Sequence, residues 1–93
     1  MYKLERKNRA TGKVWTAILV EQQDHYVLKA GAHISTIELK RCPVWVKQLR
    51  AQCNITKDGV LQQDVMFHSL DDAAAFVLLT NAIGDREWKY SIG

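Results

Sequence analysis

Polar and apolar residues change their period several times along this chain, and each change marks an element. Tyr2 and Leu4 alternate with Lys3 and Glu5 as the two sides of a short edge strand do, and the polar run from Lys7 to Lys13 reads as a turn. Strand-like sequence resumes at Val14. Trp15 to Val20 is mostly apolar and β-branched, Tyr26 to Leu28 is a second such run, and the polar Glu21 to His25 between them predicts an antiparallel hairpin. Gly31 interrupts the strand pattern where a bulge or a close backbone approach is expected, before Ile34, Ile37 and Leu39 predict a further strand.

The period then lengthens. Pro43 has no N–H for a ladder but suits the first turn of a helix, and Val46, Leu49 and Cys53 recur on one side, with Lys47 and Arg50 on the outer side. Asp58-Gly59 signals a turn, and Val65 to Phe67 is a short apolar segment able to join the sheet. Phe67 to Lys89 holds the most information. Ser69 is suited to cap a helix whose first turn carries Asp71 and Asp72 against the positive end of the dipole. Ala73 to Leu79 contains no polar residue, so this helix is expected to be covered on more than one side. Gly84 fits a left-handed stop, after which Trp88, Tyr90 and Ile92 alternate with Lys89 and Ser91 as in a half-buried strand. The pattern as a whole predicts an α+β fold: a small antiparallel sheet of four or five strands with helices over about 43–53 and 70–82, in a single domain spanning 1–93.

Length sets the scale. A chain of 93 residues buries roughly two thirds of its unfolded surface in one core and has no room for a second. The longest apolar runs, Ala17 to Val20 and Ala73 to Leu79, fall well short of the ~20 residues of a membrane span, and the N-terminus is charged with no apolar signal core behind it. A cytoplasmic location without membrane contact is the expectation. Cys42 and Cys53 bracket the first predicted helix, which would hold them about 16 Å apart, so two reduced structural thiols are expected rather than a disulfide.

The net charge is only +3, but it is unevenly spread. Lys3, Arg6, Lys7, Arg9 and Lys13 face a single acid, Glu5, at the start of the chain, and Leu39 to Lys57 holds Lys40, Arg41, Lys47, Arg50 and Lys57 with no acid at all. The second half carries Asp58, Asp64, Asp71, Asp72, Asp85 and Glu87. Separate basic and acidic faces follow. A basic face is the usual footprint of a polyanion-binding surface, and also a common form of solvated surface.

Catalytic and metal-binding patterns are missing from the sequence. His25, His33, His68, Cys42 and Cys53 offer ligand atoms, yet no pair has the two-to-four-residue spacing typical of structural zinc. Gly12, Gly31, Gly59, Gly84 and Gly93 are isolated, so no glycine-rich phosphate loop is present. No enzyme and no cofactor are therefore expected. Trp15, Trp45 and Trp88 could stack on bases, but core packing is the expectation; Trp45 stands apart, because Val46, Leu49 and Cys53 already supply its helix with an apolar stripe.

The segment FHSLDDAAAFVLLTNAIGDREWK resembles the ending of a small uncharacterised domain found C-terminal to GIY-YIG nuclease domains and in restriction-modification proteins, and similar to the domain associated with restriction enzymes and adenine methylases. The matching positions are Phe67, Ser69, Ala73, Ala74, Gly84, Trp88 and Lys89, together with Tyr26 to Lys29 and Gly31. The chain departs from that pattern at Ser69-Leu70-Asp71, where the family carries Ser-Pro-Ser, and at Asp85, where it carries an aromatic. The resemblance implies an α+β accessory module linked to DNA-processing enzymes.

The function expected from these features is a non-enzymatic module that lays a basic face on duplex DNA through phosphate contacts, with Arg6, Lys7, Arg9, Lys40, Arg41, Lys47 and Arg50 as candidates and Trp45 beside them. The alternative is an interaction module that docks on a nuclease, a methylase or itself, through exposed strand edges at Tyr2 to Glu5 or Trp88 to Ile92.

Overall fold

A computed structural model describes residues 1–90 of the chain. The elements in order are β1 (Tyr2–Lys7), β2 (Val14–Glu21), β3 (Tyr26–Leu28), α1 (Val44–Ala51), β4 (Val65–Phe67), α2 (Leu70–Leu78), α3 (Gly84–Glu87) and β5 (Lys89–Tyr90). The strands form one antiparallel sheet in the order β4-β3-β2-β1-β5, so the fold is α+β. The expected hairpin of β2 and β3 is present, closed by the amide of Gln22 donating to the carbonyl of His25 at 2.7 Å. β1 is not an edge strand, because β5 returns alongside it and pairs Tyr90 with Tyr2 and Lys89 with Lys3. The expected continuation of the last strand through Ser91 and Ile92 lies outside the described residues.

Register decides which face is buried. Leu4 lies opposite Ala17, Leu19 opposite Leu28 and Leu28 opposite Val65, so alternate residues of four strands converge on one side of the sheet. Leu4, Leu19 and Leu28 are fully buried there with Phe67, Phe76 and Trp88. The opposite face presents Lys3, Glu5, Val14, Ile18, Val20, Val27 and Met66, of which Val14, Ile18 and Met66 are exposed.

α2 is the central element of the buried side. The Ser69 hydroxyl accepts from the Asp72 amide at 3.1 Å, as its capping position requires. Every residue from Ala73 to Leu79 is buried. The sheet covers one side, α1 places Val46 against Ala75 and Leu79, and the 35–39 segment crosses its end. The helix is shorter than its composition suggests, because Leu79 itself adopts the left-handed conformation (φ 57°, ψ 42°) and returns its amide to the Ala75 carbonyl at 2.9 Å.

Gly84 is therefore not the helix stop. It opens α3, its amide donates to Asp71 Oδ1 at 2.5 Å, and a Cβ at this position would run into the backbone of Leu70 and Asp71. Glycine is required for close approach, not for a left-handed turn. Trp88 completes the closure by donating from Nε1 to the Leu70 carbonyl at 3.1 Å.

The strand expected at Ile34 to Leu39 does not form. His33 makes only isolated bridges, to Thr16 and to Val60, and Ile34 enters the core. The amides of Ser35 and Leu39 then donate to the carbonyls of Val77 and Leu79, at 2.7 and 3.4 Å, so this segment serves the end of α2 in place of a strand ladder.

Candidate nucleic-acid interface

The basic segments meet at one end of the sheet. β1 ends on Lys7, and the turn beyond it is set by Asn8, whose side-chain Oδ1 accepts from the Ala10 amide at 2.9 Å while its carbonyl accepts from Gly12 at 2.8 Å. Arg9 is carried on this turn and is exposed. From the other side the 35–39 segment arrives over the end of α2. Together they enclose a groove of about 230 Å³ lined by Arg6, Lys7, Arg9, Ile37, Leu39 and Thr80, with Trp15, Ser35, Asn8 and Leu78 completing it. Lys40 and Arg41 follow Leu39 directly, and the Arg41 carbonyl accepts from the Asn81 amide at 3.1 Å, fixing this loop beside the groove. No carboxylate is among the lining residues.

Not every candidate cation is equally available. Arg6 donates from Nη1 to Glu87 Oε1 at 2.6 Å, and Lys47 Nζ sits 3.0 Å from Glu38 Oε1, which holds the Lys47 ammonium above its ordinary value. Lys7, Arg9, Lys40 and Arg41 are exposed, and none of the four takes part in an ion pair among the described residues. Trp45 sits in the first turn of α1, 38% exposed, whereas Trp15 and Trp88 are buried.

Arg50 corrects the helix-face reading most clearly. It does not share the outer side of α1 with Lys47; its guanidinium turns inward to the end of α2. Nη1 donates to the Ser35 carbonyl at 2.6 Å, Nε to Phe76 at 3.0 Å, and Nη2 to Phe76 and Val77 at 2.5 and 3.1 Å. Burial lowers its pKa to about 10, which leaves it a cation at neutral pH. Bonds from Nε, Nη1 and Nη2 to backbone carbonyls commit most of its N–H donors to the protein itself, which takes Arg50 out of the set offered to a phosphate. Arg50 is four residues after the buried Val46 and three before Cys53, so helical spacing sets it at the border of the apolar stripe as much as beside Lys47, and its long stem carries the guanidinium across to α2.

The far end of the strands has the opposite sign. Glu21 and Asp24 flank the β2–β3 turn, with Asp24 Oδ1 2.7 Å from His25 Nδ1, and this hydrogen bond pulls the Asp24 carboxyl below its ordinary value. Burial, reinforced by the Glu21 carboxylate, pushes the Tyr2 phenol up. Charge thus differs along the strands, basic at the β1–β2 turn and acidic at the β2–β3 turn, whose Glu21 and Asp24 are not among the second-half acids that the sequence sets apart.

Among the described residues no group of three or more His, Cys, Asp or Glu side chains is placed to hold a metal ion, and no helix is long and apolar enough to cross a membrane. Cys42 and Cys53 are free and half-buried. The groove residues Ser35, Ile37, Leu39 and Thr80 carried no sequence signal as site residues, because they come from loops brought together only by the end of α2. No family model, curated protein or solved structure matches this chain.

Proposed function

We propose that this chain is a non-enzymatic module that binds duplex DNA by its backbone, using the basic end of the sheet. The observation that carries this reading is a groove lined by Lys7 and Arg9 of the β1–β2 turn and by no carboxylate, whose other wall at Leu39 leads directly into the Lys40-Arg41 loop. Exposed cations along one wall of a concavity, with two more on the loop that continues its other wall, offer a phosphate backbone a line of contacts that cations scattered over a sphere do not. The set that would make contact is Lys7, Arg9, Lys40 and Arg41, with Arg6 joining when its bond to Glu87 opens. The resemblance of Phe67 to Lys89 to a domain of restriction-modification proteins supports a place beside a nuclease or methylase.

Fluorescence anisotropy with a labelled duplex at two salt concentrations tests this. Replacing Lys40 and Arg41 together by Glu is expected to weaken binding to every duplex sequence and to reduce the salt slope by roughly two, since each lost phosphate contact removes about 0.9 from it. Absence of binding at low salt, or an unchanged slope in the variant, would sink the reading. A docking role on another protein is favoured by a different surface, the uncovered face of the sheet.

A further inference from the structure

That uncovered face borders the basic groove at Lys7, which pairs with Val14, and it is not an ordinary solvated surface. Val20, Val27 and Met66 lie in one row across three strands, and Ile18 follows two residues along β2, with Val14 four residues beyond it past Thr16. Val14, Ile18 and Met66 are 45, 42 and 55% exposed, a concentration of apolar groups on one plane that a monomer gains nothing by displaying. Beside the row is a depression of about 290 Å³ between Lys3, Glu5, Thr16 and Ile18 on one side and Ala30 to Ala32 on the other. It forms where the chain bulges from β2 at Ala30-Gly31, with Gly31 at φ 93°, before His33 rejoins β2 opposite Thr16.

The charges on this face decide what fits it. Lys3 and Glu5 stand on the same side of β1, next to Ile18 and Thr16 respectively. Beyond the apolar rows, one end of the strands is the basic Lys7 to Lys13 turn and the other is the acidic turn flanked by Glu21 and Asp24. Both signs are present, separated along a single direction.

We propose that a second copy of this chain occupies the face, the two sheets stacked about a two-fold axis that lies between them and crosses the strands midway between the Lys3 and Glu5 rows. One axis then satisfies every pairing. Lys3 meets the partner's Glu5 and Glu5 meets the partner's Lys3; Val14 meets the partner's Val20, and Ile18 the partner's Thr16. The basic β1–β2 turn of each copy lies toward the acidic β2–β3 turn of the other. Such reciprocity is what an isologous interface requires, and stacked sheets with strands nearly aligned are a standard packing. A partner of one sign would oppose one half of this face, whereas a second copy opposes neither.

The oligomeric state of the full chain tests the proposal, measured by size exclusion with light scattering over a range of concentrations. The wild type is expected at dimer mass, and Ile18→Glu at monomer mass with an unchanged circular-dichroism spectrum. Lys3→Glu and Glu5→Lys each set like charges opposite one another and are expected to weaken the dimer at least about tenfold, while the two changes together restore it. A wild type of monomer mass at all concentrations overturns the proposal. So does a dimer that survives Ile18→Glu, or a double variant no better than the singles. Lys3 and Ile18 lie outside the basic groove, so duplex binding by anisotropy reads the proposed function separately: a monomeric Ile18→Glu that still binds duplex separates the two readings.

Discussion

Arg50 stacks on Phe76 with Cζ 5.3 Å from the ring centroid while its Nε and Nη2 donate to the carbonyl of the same residue. One side chain of α1 thus holds both the ring and the backbone of the last turn of α2. The carbonyls of Phe76 and Val77 fall among those a helix end leaves without internal partners, and both are under cover of α1. Replacing Arg50 by Ala strands the carbonyls of Phe76 and Ser35, while Val77 keeps the Ser35 amide, and is expected to cost about 3 kcal/mol, since hydrogen bonds to a charged donor contribute roughly 1.5–3 kcal/mol each and act here as a unit. Lys cannot reproduce the planar fork and should recover less than half. Urea unfolding measures both; a loss below about 1 kcal/mol for Arg50→Ala would mean the carbonyls find water instead.

Leu79 poses a contest between backbone and side chain. Its left-handed conformation costs about 1–2 kcal/mol for a residue with a Cβ, which glycine would relieve. Its side chain is 8% exposed and packs on Val46 and Ala75, and deleting a buried leucine costs about 2–5 kcal/mol. Lost packing outweighs the relieved backbone, so Leu79→Gly is expected to destabilise by about 2 kcal/mol in thermal unfolding. A stabilised variant would show that the side chain contributes little to the core.

Gly84 is the reverse case, a glycine held by space. Gly84→Ala directs a methyl into the Leu70-Asp71 backbone and is expected to cost at least about 2 kcal/mol, as overpacking does. The strain should also disturb the neighbouring bond from Trp88 to Leu70, so Trp88 emission, read with Trp15 and Trp45 replaced by Phe, reports it locally. An alanine variant with wild-type stability and emission would refute the close approach.

These three residues show where the sequence was legible. Alternation and period located every strand and both main helices, because apolar spacing records which side of an element is buried. The same logic recovered the Ser69 cap and the burial of Trp15 and Trp88. It failed at Gly84, Arg50 and Ile34 to Leu39, and for one reason. Each is determined by an end of α2: a glycine admitted to its start, an arginine drawn to its carbonyls, and a loop whose amides satisfy its last turn. Such pairings join residues far apart in the chain and leave no local pattern. The basic groove was half legible, since the cations are visible in the sequence while the convergence of their two segments is tertiary.

The two thiols offer a pH test. Burial raises the pKa of both Cys42 and Cys53, with the Glu38 carboxylate adding to the effect at Cys42. Because the thiolate is the reacting form, modification by a disulfide reagent is expected to reach half its maximal rate above the ordinary thiol value of about 8.5, and to shift down to it in urea. The corresponding contribution to stability is complete below the unfolded-state value of about 8.5 and is lost as pH rises through the folded-state values. A folded-state midpoint at or below the unfolded one would contradict the burial of these side chains.

The pairing of β5 with β1 has a consequence for how the molecule assembles. Arg6 and Glu87 meet across 81 residues of chain, and the strands beside them close a loop of similar length, whereas β1–β2 and β2–β3 are joined by short turns. Closing the longer loop costs more entropy for two residue pairs of ladder among the described residues. The three-stranded meander and α2 should therefore form first, with β5 docking last, so that during synthesis the flank of β1 stays open to other chains until the final strand emerges.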